Sequence, residues 1–241
     1  MCTVTFLPAK INKGYILTSS RDERSWRKEA LPPLKYDTFG QAVFYPKDKE
    51  AGGTWVAGSL NNFTLCILNG AFIRHESKPP YRKSRGLVLL DFFQCNDIKK
   101  FVAEYDFQGI ENFTLLILNN NADLKLYELR WDGTDIHLNK KDETKEHIWS
   151  SCTLYTDEAI AQRKKWFENF LQADNVRSKE NIIHFHKTAG DGNTENAIMM
   201  NRNDRVKTLS ITSIERSREN FSMYYFDTVK QKSSNLRIFI T

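Results

Sequence analysis

The order of the predicted elements is the feature that most restricts how this chain of 241 residues can fold. Strands come first, and apolar spacing then predicts two consecutive helices over residues 84–95 and 97–105. Strands return over 113–118 and 124–131, and helices and closing strands follow. Runs of strands separated by runs of helices are typical of a layered α+β sandwich. No internal repeat or linker interrupts the pattern, so we expect a single domain over residues 1–241.

The same patterns predict the other elements. Asp157 is predicted as the N-cap of a helix with Trp166, Phe167 and Phe170 on its apolar side. The remaining predicted helices cover 157–171 and 178–185, and the remaining predicted strands cover 53–59, 63–69, 206–214, 221–226 and 236–240.

The first residues predict a hairpin. Apolar and polar residues alternate over 3–6, Pro8 ends the strand, Asn12-Lys13-Gly14 supplies a turn, and 15–19 forms a second strand. A hairpin brings the end of its second strand beside the start of its first. The charged run Ser20-Arg21-Asp22-Glu23-Arg24, which follows the second strand, is therefore expected close to the N-terminus.

Removal of Met1 would give Cys2 a thiol and a free α-amine on one residue. The amine has a pKa of about 7.7–8.0 and the thiol one of about 8.5, so the amine can accept the thiol proton near neutral pH. Arg21 nearby would favour the thiolate, and the carboxylate of Asp22 or Glu23 would hold the amine. The alternative is a small buried residue at the start of a strand, followed by a solvated loop of mutually satisfied charges.

Several short motifs follow one another in a characteristic order. They are Met1-Cys2-Thr3, Ser19-Ser20-Arg21-Asp22-Glu23, Gly52-Gly53-Thr54-Trp55, Leu68-Asn69-Gly70 and Tyr81-Arg82-Lys83-Ser84-Arg85-Gly86. Together they resemble the NRDE family, also called the transport-and-Golgi-organisation family, strongly over residues 1–95 and more weakly beyond. The family signature is Asn-Arg-Asp-Glu, and this chain has Ser20 in place of the asparagine.

That family is in turn similar to the N-terminal-nucleophile hydrolases, especially the bile-salt hydrolase and penicillin V acylase group. The resemblance implies a four-layer αββα sandwich and a nucleophilic Cys2 exposed by removal of Met1. It also places Asn69 at the position of an oxyanion-hole asparagine, a donor that can supply about 3 kcal/mol. The alternative for Asn69 is a turn residue before Gly70, since Asn-Gly is a common turn signal.

The chain departs from the hydrolase pattern in three places. The hydrolase group separates its arginine and aspartate by two residues, whereas Arg21 and Asp22 are adjacent. Residues 150–155 hold no counterpart of the second asparagine of that group. The late arginine of the group has Arg205 and Lys207 as its candidates here, and neither is an unambiguous match.

We therefore expect an amide hydrolase. Cys2 would attack the carbonyl carbon of a linear carbon–nitrogen amide bond. Arg21 and Asp22 would set the charge around the nucleophile, and Asn69 would bind the oxyanion. The alternative is a non-catalytic binding or transport protein for a lipid-like or haem-like ligand on the same fold. The state of Met1 discriminates between them, because a retained Met1 leaves the thiol without a free amine beside it.

Composition and charge exclude several other classes. The net charge is +5, with both signs interleaved, and no nucleic-acid-binding motif is present. The basic segment over 81–85 would either meet an anionic ligand or begin a solvated helix. No apolar run is long enough to span a membrane and no signal peptide is visible, so we expect a cytoplasmic protein.

Metal and cofactor sites are not expected. The four cysteines, at positions 2, 66, 95 and 152, show no C-x-x-C spacing. His184 and His186 have no acidic or cysteine neighbour at ligand spacing, and we interpret them as a surface pair beside a glycine-rich loop. The expected partner is a small-molecule amide or a lipid-like ligand.

Overall fold

In the computed structural model, the described residues are 3–9, 14–60, 63–121, 123–173 and 176–240. The strands are β1 (Thr3–Pro8), β2 (Tyr15–Arg24), β3 (Leu31–Thr38), β4 (Gln41–Lys47), β5 (Val56–Ser59), β6 (Phe63–Asn69), β7 (Phe113–Asn119), β8 (Lys125–Trp131), β9 (Ile136–Lys141), β10 (His147–Ser150), β11 (Asn201–Arg202), β12 (Val206–Arg216), β13 (Asn220–Asp227) and β14 (Lys232–Phe239). The helices are α1 (Arg85–Cys95), α2 (Ile98–Glu104), α3 (Asp157–Gln172) and α4 (Lys179–Thr188). Within the described ranges, no helix is both long enough and apolar enough to cross a membrane.

Contacts group the chain into two compact units. We call Met1–Arg27 together with Thr144–Thr241 the terminal unit, and Lys28–Glu143 the central unit. The single domain over residues 1–241 stays a prediction.

The terminal unit is built on one antiparallel sheet. Its strands lie in the order β10-β1-β2-β12-β13-β14, and β11 pairs with β12. Since β1 pairs with both β10 and β2, the first strand of the chain lies inside the sheet and not at its edge. Thr3 lies opposite Ser20, which confirms the hairpin predicted from the sequence. Asn12 and Lys13 of the predicted turn lie outside the described residues.

The charged run is part of β2 and does not follow it. Strand β2 continues to Arg24 because its second half pairs with β12, which places Arg21 opposite Ser210 and Asp22 opposite Thr208 across a bulge. The predicted end of the strand at residue 19 is therefore wrong. Pairing with a distant strand outweighs the low strand propensity of charged residues.

Helices α3 and α4 pack on one face of the terminal sheet. Leu7 and Ile16 from the first two strands meet Phe167, Ile182 and Phe185 from the helices in a buried apolar cluster. This contact follows from the apolar side of α3 that the sequence predicted, and it covers the strands that carry the N-terminus.

Two predictions about these helices are wrong. The N-cap of α3 is Thr156, whose side chain accepts a hydrogen bond from the N–H of Ala159, so the helix begins one residue earlier than an Asp157 cap implied. His184 and His186 do not form a surface pair, because His184 is exposed whereas His186 is fully buried. Residues two apart on a helix point in nearly opposite directions.

The central unit has a second antiparallel sheet, with strands in the order β3-β4-β5-β6-β7-β8-β9. Helix α1 packs on it through Val88, Leu89 and Phe92, which are fully buried, as are Leu65 and Leu115 of the sheet. The bounds of β6 match the prediction, and those of α1, α2, β7 and β8 differ from it by one residue. Within this unit, the elements with long apolar runs were therefore predicted closely.

Two motif glycines allow α1 to approach this sheet closely. A Cβ atom on Gly53 would lie 2.5 Å from the backbone of Gly86, and one on Gly86 would lie 2.6 Å from the carbonyl oxygen of Thr54. The N–H of Thr54 donates to the carbonyl oxygen of Gly86 at 3.3 Å. The motif glycines thus have a packing role, since no larger residue permits this contact.

Five strands that carry no clear sequence signal were missed: β3, β4, β9, β10 and β11. Strand β3 contains Pro32 and Pro33, and its register shifts between Leu31 and Leu34. Strand β9 is polar and largely exposed. Both lie at the edges of the central sheet, where proline and lysine are tolerated although they weaken a strand pattern.

Candidate active site

The predicted nucleophile, Cys2, directly precedes the first residue of β1 in the sequence. Cys2 itself lies outside the described residues. Thr3, to which it is bonded, is fully buried and pairs with Ser20 on one side and Ser150 on the other. The strand is thus held on both sides from its first described residue, as a precisely positioned site requires.

Arg21 and Asp22 are both buried, but they face opposite sides of β2. Asp22 accepts hydrogen bonds from the hydroxyls of Tyr155 and Thr208, and Ser20 contacts His186 of α4 on the same, helix-covered side. Because side chains alternate along a strand, Arg21 lies on the opposite face. Only 4% of Arg21 is exposed, so its charge acts in a desolvated setting.

Glu23, the other candidate to hold the amine, is half-buried. Its carboxylate accepts a hydrogen bond from the N–H of Arg24 at 2.9 Å and lies 3.8 Å from the guanidinium of Arg27. By strand alternation it shares the face of Arg21. The contact of the α-amine with Asp22 or with Glu23 stays a prediction, since Cys2 lies outside the described residues.

Sequence reasoning missed Arg163, a fully buried arginine on α3. One terminal nitrogen donates to the hydroxyl of Thr3 and the other to the carbonyl oxygen of Ala197, while its Nε–H donates to the carbonyl oxygen of Asn196 at 3.1 Å. Arg163 comes four residues before Phe167, on the apolar side of the helix. That spacing was the available signal, because it forces a charged side chain toward the core.

His186 bridges the first two strands beside Arg163. Its Nε2 lies 2.9 Å from the hydroxyl of Thr5 and its Nδ1 lies 2.8 Å from the hydroxyl of Ser20. Burial, and to a lesser degree the charge of Arg163, lowers the pKa of His186 to about 3. The imidazole is therefore neutral at pH 7, and its one N–H and one lone pair match two hydroxyl partners.

The chain departs from the hydrolase pattern at the late arginine and at the second asparagine, and the structure shows other contacts at both places. Arg205 is exposed, and the half-buried Lys207 lies 3.6 Å from the carboxylate of Asp204. In place of a second asparagine, the region over 150–155 contributes Tyr155, which donates to Asp22. The polar groups here are therefore arranged differently from those the resemblance implies.

Asn69 belongs to the central unit, where it is the last residue of β6 and pairs with Phe113. The following Gly70 has a positive φ of 83°. Its N–H donates to the carbonyl oxygen of Asn112 at 3.0 Å, and its carbonyl oxygen accepts from the hydroxyl of Thr114 at 2.9 Å. The backbone of Gly70 thus fixes the turn, and the donor role of Asn69 stays a prediction.

The basic segment over 81–85 has its charges compensated within the central unit. Arg82 lies 3.4 Å from a carboxylate oxygen of Asp106. Lys83 lies 2.5 Å from Asp91, and Arg85 lies 3.0 Å from Glu111. These ion pairs favour the interpretation of this segment as a helix start over that of a site for an anionic ligand.

A cavity of about 660 Å³ opens in the terminal unit beside α4. Lys179, His184 and Lys187 of α4 line it, together with Tyr224 of β13 and Arg237 of β14. None of the three predicted catalytic residues that are described lies in its wall. It is therefore a separate feature of this unit.

Three solved structures share the fold of this chain. Two substituted forms of the conjugated bile acid hydrolase from Clostridium perfringens match all of it, with TM-scores of 0.55 and 0.52 at 9% and 10% sequence identity, and cover 98% and 97% of their own chains. The N-acylethanolamine-hydrolyzing acid amidase ortholog of Caenorhabditis elegans matches 88% of this chain and 92% of its own, with a TM-score of 0.57 at 7% identity. The predicted fold class, an α+β sandwich of the N-terminal-nucleophile hydrolase type, is confirmed.

Sequence comparison then gives the family. The family model of Transport and Golgi organisation 2 matches residues 1–235. The chain therefore belongs to that family, which confirms the resemblance seen in the motifs. No curated protein matches the sequence.

Proposed function

We propose that this protein is an N-terminal-nucleophile amidohydrolase with Cys2 as its nucleophile. One observation carries the proposal: Thr3, bonded to Cys2, begins an internal strand paired with the strand of Arg21, in a fold shared with two hydrolases. One compared structure is a conjugated bile acid hydrolase in which a cysteine at the second position is replaced by alanine. A cysteine at the same point of this chain supports the same assignment.

The reaction would use the thiol and the α-amine of Cys2 after Met1 is removed. The amine accepts the thiol proton, and the sulfur bonds to the carbonyl carbon of the amide to give a tetrahedral oxyanion. The carbon–nitrogen bond breaks as the protonated amine gives its proton to the leaving nitrogen, and a thioester remains. Water, deprotonated by the same amine, attacks the thioester and releases a carboxylic acid and the thiol.

Arg21, Asp22 and Asn69 would contribute in different ways. Strand alternation predicts the side chain of residue 2 on the face of Arg21, where the guanidinium favours the thiolate. Asp22, or alternatively Glu23, would orient the amine. Asn69 would donate to the oxyanion together with backbone N–H groups.

The substrate class that we propose is an amide joining an apolar acyl group to a small polar amine. An N-acylethanolamine is such a molecule, and the compared protein from Caenorhabditis elegans is named for its hydrolysis. A cytoplasmic setting, which we also propose, would keep the nucleophilic thiol reduced.

The test begins with the intact mass of the purified protein, where we expect Met1 to be absent because residue 2 is small. Hydrolysis of an N-acylethanolamine and of a conjugated bile acid is then compared between the wild-type protein, Cys2→Ser and Cys2→Ala. Cys95→Ser serves as the control for loss of a thiol. We expect both Cys2 variants to lose activity by about 10³-fold or more. Full-length protein that retains Met1, or hydrolysis that survives Cys2→Ala, would contradict the mechanism.

Binding or transport of a lipid-like or haem-like ligand is the second candidate, and the cavity beside α4 is the observation in its favour. Fatty acids and haem combine carboxylates with an apolar body, and the cavity wall combines Lys187 and Arg237 with Ile183 and Leu236. As a carrier, the protein would bind a fluorescent fatty acid equally well with Cys2→Ser, and more weakly with Lys187→Glu and Arg237→Glu. Titration of the dye by fluorescence separates this outcome from that of the hydrolase.

A further inference from the structure

Arg163 is a buried cation that no carboxylate neutralises directly. Its three guanidinium nitrogens donate to the carbonyl oxygens of Asn196 and Ala197 and to the hydroxyl of Thr3. In the part of the chain that the structure describes, it forms no ion pair. A buried charge without a counter-charge is costly, and residues that keep one are candidates for function.

An aromatic ring connects Arg163 to the carboxylate of Asp22. The central carbon of the Arg163 guanidinium lies 3.5 Å from the centre of the Tyr155 ring, and the hydroxyl of Tyr155 donates to Asp22. Arg202 lies farther from the same ring, at 5.3 Å. Asp22 also accepts a hydrogen bond from the hydroxyl of Thr208.

The positive charge of Arg163 also acts on the polar groups around it. It contributes to the low pKa of His186, which lies beside the same strands. Thr3, the other polar group that Arg163 holds, is the first described residue of β1 and is fully buried. The charge therefore lies directly beneath the end of the strand that carries the N-terminus.

We propose that Arg163 is a positioning residue for the proposed hydrolysis: it anchors Thr3 and places a fixed positive charge under the residue bonded to it. The inference rests on the proposed function, because Cys2 is that residue. A nearby cation favours a thiolate over a thiol and a neutral amine over an ammonium. The first preference promotes loss of the thiol proton, and the second keeps the amine unprotonated and therefore able to accept a proton. Arg163 would act through this field and through Thr3, without contact with the substrate.

Among the described residues, other charged and titratable groups also lie around this strand end. Asp22 opposes the field from the helix-covered face, and His186 is neutral there. Arg21 adds to the field from the other face, and Glu23 opposes it. Tyr155 faces Arg163, and Arg202 lies over the same ring.

The experiment measures how fast iodoacetamide alkylates Cys2 across a range of pH, in protein whose mass shows that Met1 is absent. The variants are Arg163→Met, which removes the charge, and Arg163→Lys, which keeps it. Arg205→Met is the control, since Arg205 is exposed. We expect Arg163→Met to raise the midpoint of the alkylation profile by about one pH unit or more. Arg163→Lys and Arg205→Met should keep the wild-type midpoint, although Arg163→Lys should melt at a lower temperature.

A folded Arg163→Met protein with an unchanged midpoint overturns the proposal and leaves Arg163 with a structural role only. If that variant does not fold, Arg163→Gln replaces it under the same criterion. If neither neutral variant folds, Arg163→Lys decides, and a midpoint raised by a pH unit despite the retained charge overturns the proposal. The measurement needs no amide substrate. A Cys2 thiol that responds to Arg163 while no amide is cleaved would contradict the proposed function and leave this inference standing.

Discussion

In the central unit, α1 meets its sheet through apolar side chains such as Val88 and Phe92, whereas in the terminal unit α3 and α4 bring Arg163 and His186 against hydroxyls of β1 and β2. Both layers are buried, but their chemistry differs. Apolar contacts are non-directional and tolerate small shifts. Hydrogen bonds to fixed partners specify one arrangement, and they are costly when a partner is lost. The polar contacts of the terminal layer therefore fix position, whereas its apolar cluster and the central layer mainly supply stability.

This difference matches the proposed chemistry. The polar layer surrounds the two strands that hold the N-terminus and Arg21, where a displacement of about 1 Å would disturb a nucleophile. The apolar layer of the central unit has no such requirement. Four predictions test this difference between the two layers.

Phe92→Ala should produce the largest loss of stability. The Phe92 ring packs against those of Phe63 and Phe101, with ring centres 5.0 Å and 5.3 Å away, so truncation opens a cavity in the apolar layer. We expect a loss of about 3–5 kcal/mol in the free energy of unfolding, measured with urea. Leu34→Ala, at a residue 50% exposed in the same unit, should change it by about 0.5 kcal/mol or less. Equal effects of the two changes would contradict the packing.

His186→Leu tests the polar layer by leaving the hydroxyls of Thr5 and Ser20 buried without a partner. We expect a loss of about 2–4 kcal/mol in the free energy of unfolding. The triple variant His186→Leu, Thr5→Val and Ser20→Ala should regain most of it, because no unsatisfied polar group remains. If the triple variant is as unstable as the single one, the layer depends on shape and not on hydrogen bonds.

The pH dependence of stability should also distinguish the two layers. The pKa of His186 is about 3 in the folded protein against an ordinary value of 6.5, so only the unfolded chain binds the proton between these values. Stability is therefore lost as the pH falls below about 6.5, by about 1.4 kcal/mol per pH unit from this group. Above pH 6.5 the stability does not change with pH through this group. The free energy of unfolding is measured at pH 7, 6 and 5 for the wild-type protein and for His186→Leu, which should lack the loss due to this histidine. An equal change with pH in both proteins would refute the prediction.

The same contrast explains what the sequence could predict. In the central unit the bounds of β6 were predicted without error, because its apolar run is continuous and its neighbours repeat the pattern. In the terminal unit, pairing with β12 carried β2 through Arg21 and Asp22 to Arg24. That partner lies about 190 residues away along the chain, so no local pattern shows the extension.

The residues of the candidate site also differ in how far the sequence could predict them. Cys2, Arg21 and Asn69 follow from short motifs whose order is visible in the sequence. Arg163 lies on a helix far from these motifs, and only the fold places its guanidinium beside Thr3. The spacing of Arg163 from Phe167 could have placed it on the apolar side of α3, but that spacing could not show which strand this side covers.

Asn69→Ala should have the smallest effect on stability and a large effect on turnover. The backbone of Gly70 and the hydroxyl of Thr114 hold the turn, so we expect a loss of about 1 kcal/mol or less in the free energy of unfolding. Loss of an oxyanion donor should lower the turnover of an amide substrate by about 10²-fold or more. Stability is measured with urea, and turnover with the N-acylethanolamine that the wild-type protein cleaves.

Asn119→Ala is the matched control for this prediction. Asn119 ends β7 as Asn69 ends β6, and the two lie at opposite ends of the same antiparallel pair. Because only the end with Asn69 carries the proposed donor, Asn119→Ala should leave turnover unchanged. A large fall in melting temperature with normal turnover in Asn69→Ala would assign Asn69 to the turn. The central unit would then supply stability alone, and the oxyanion donor would have to come from another residue.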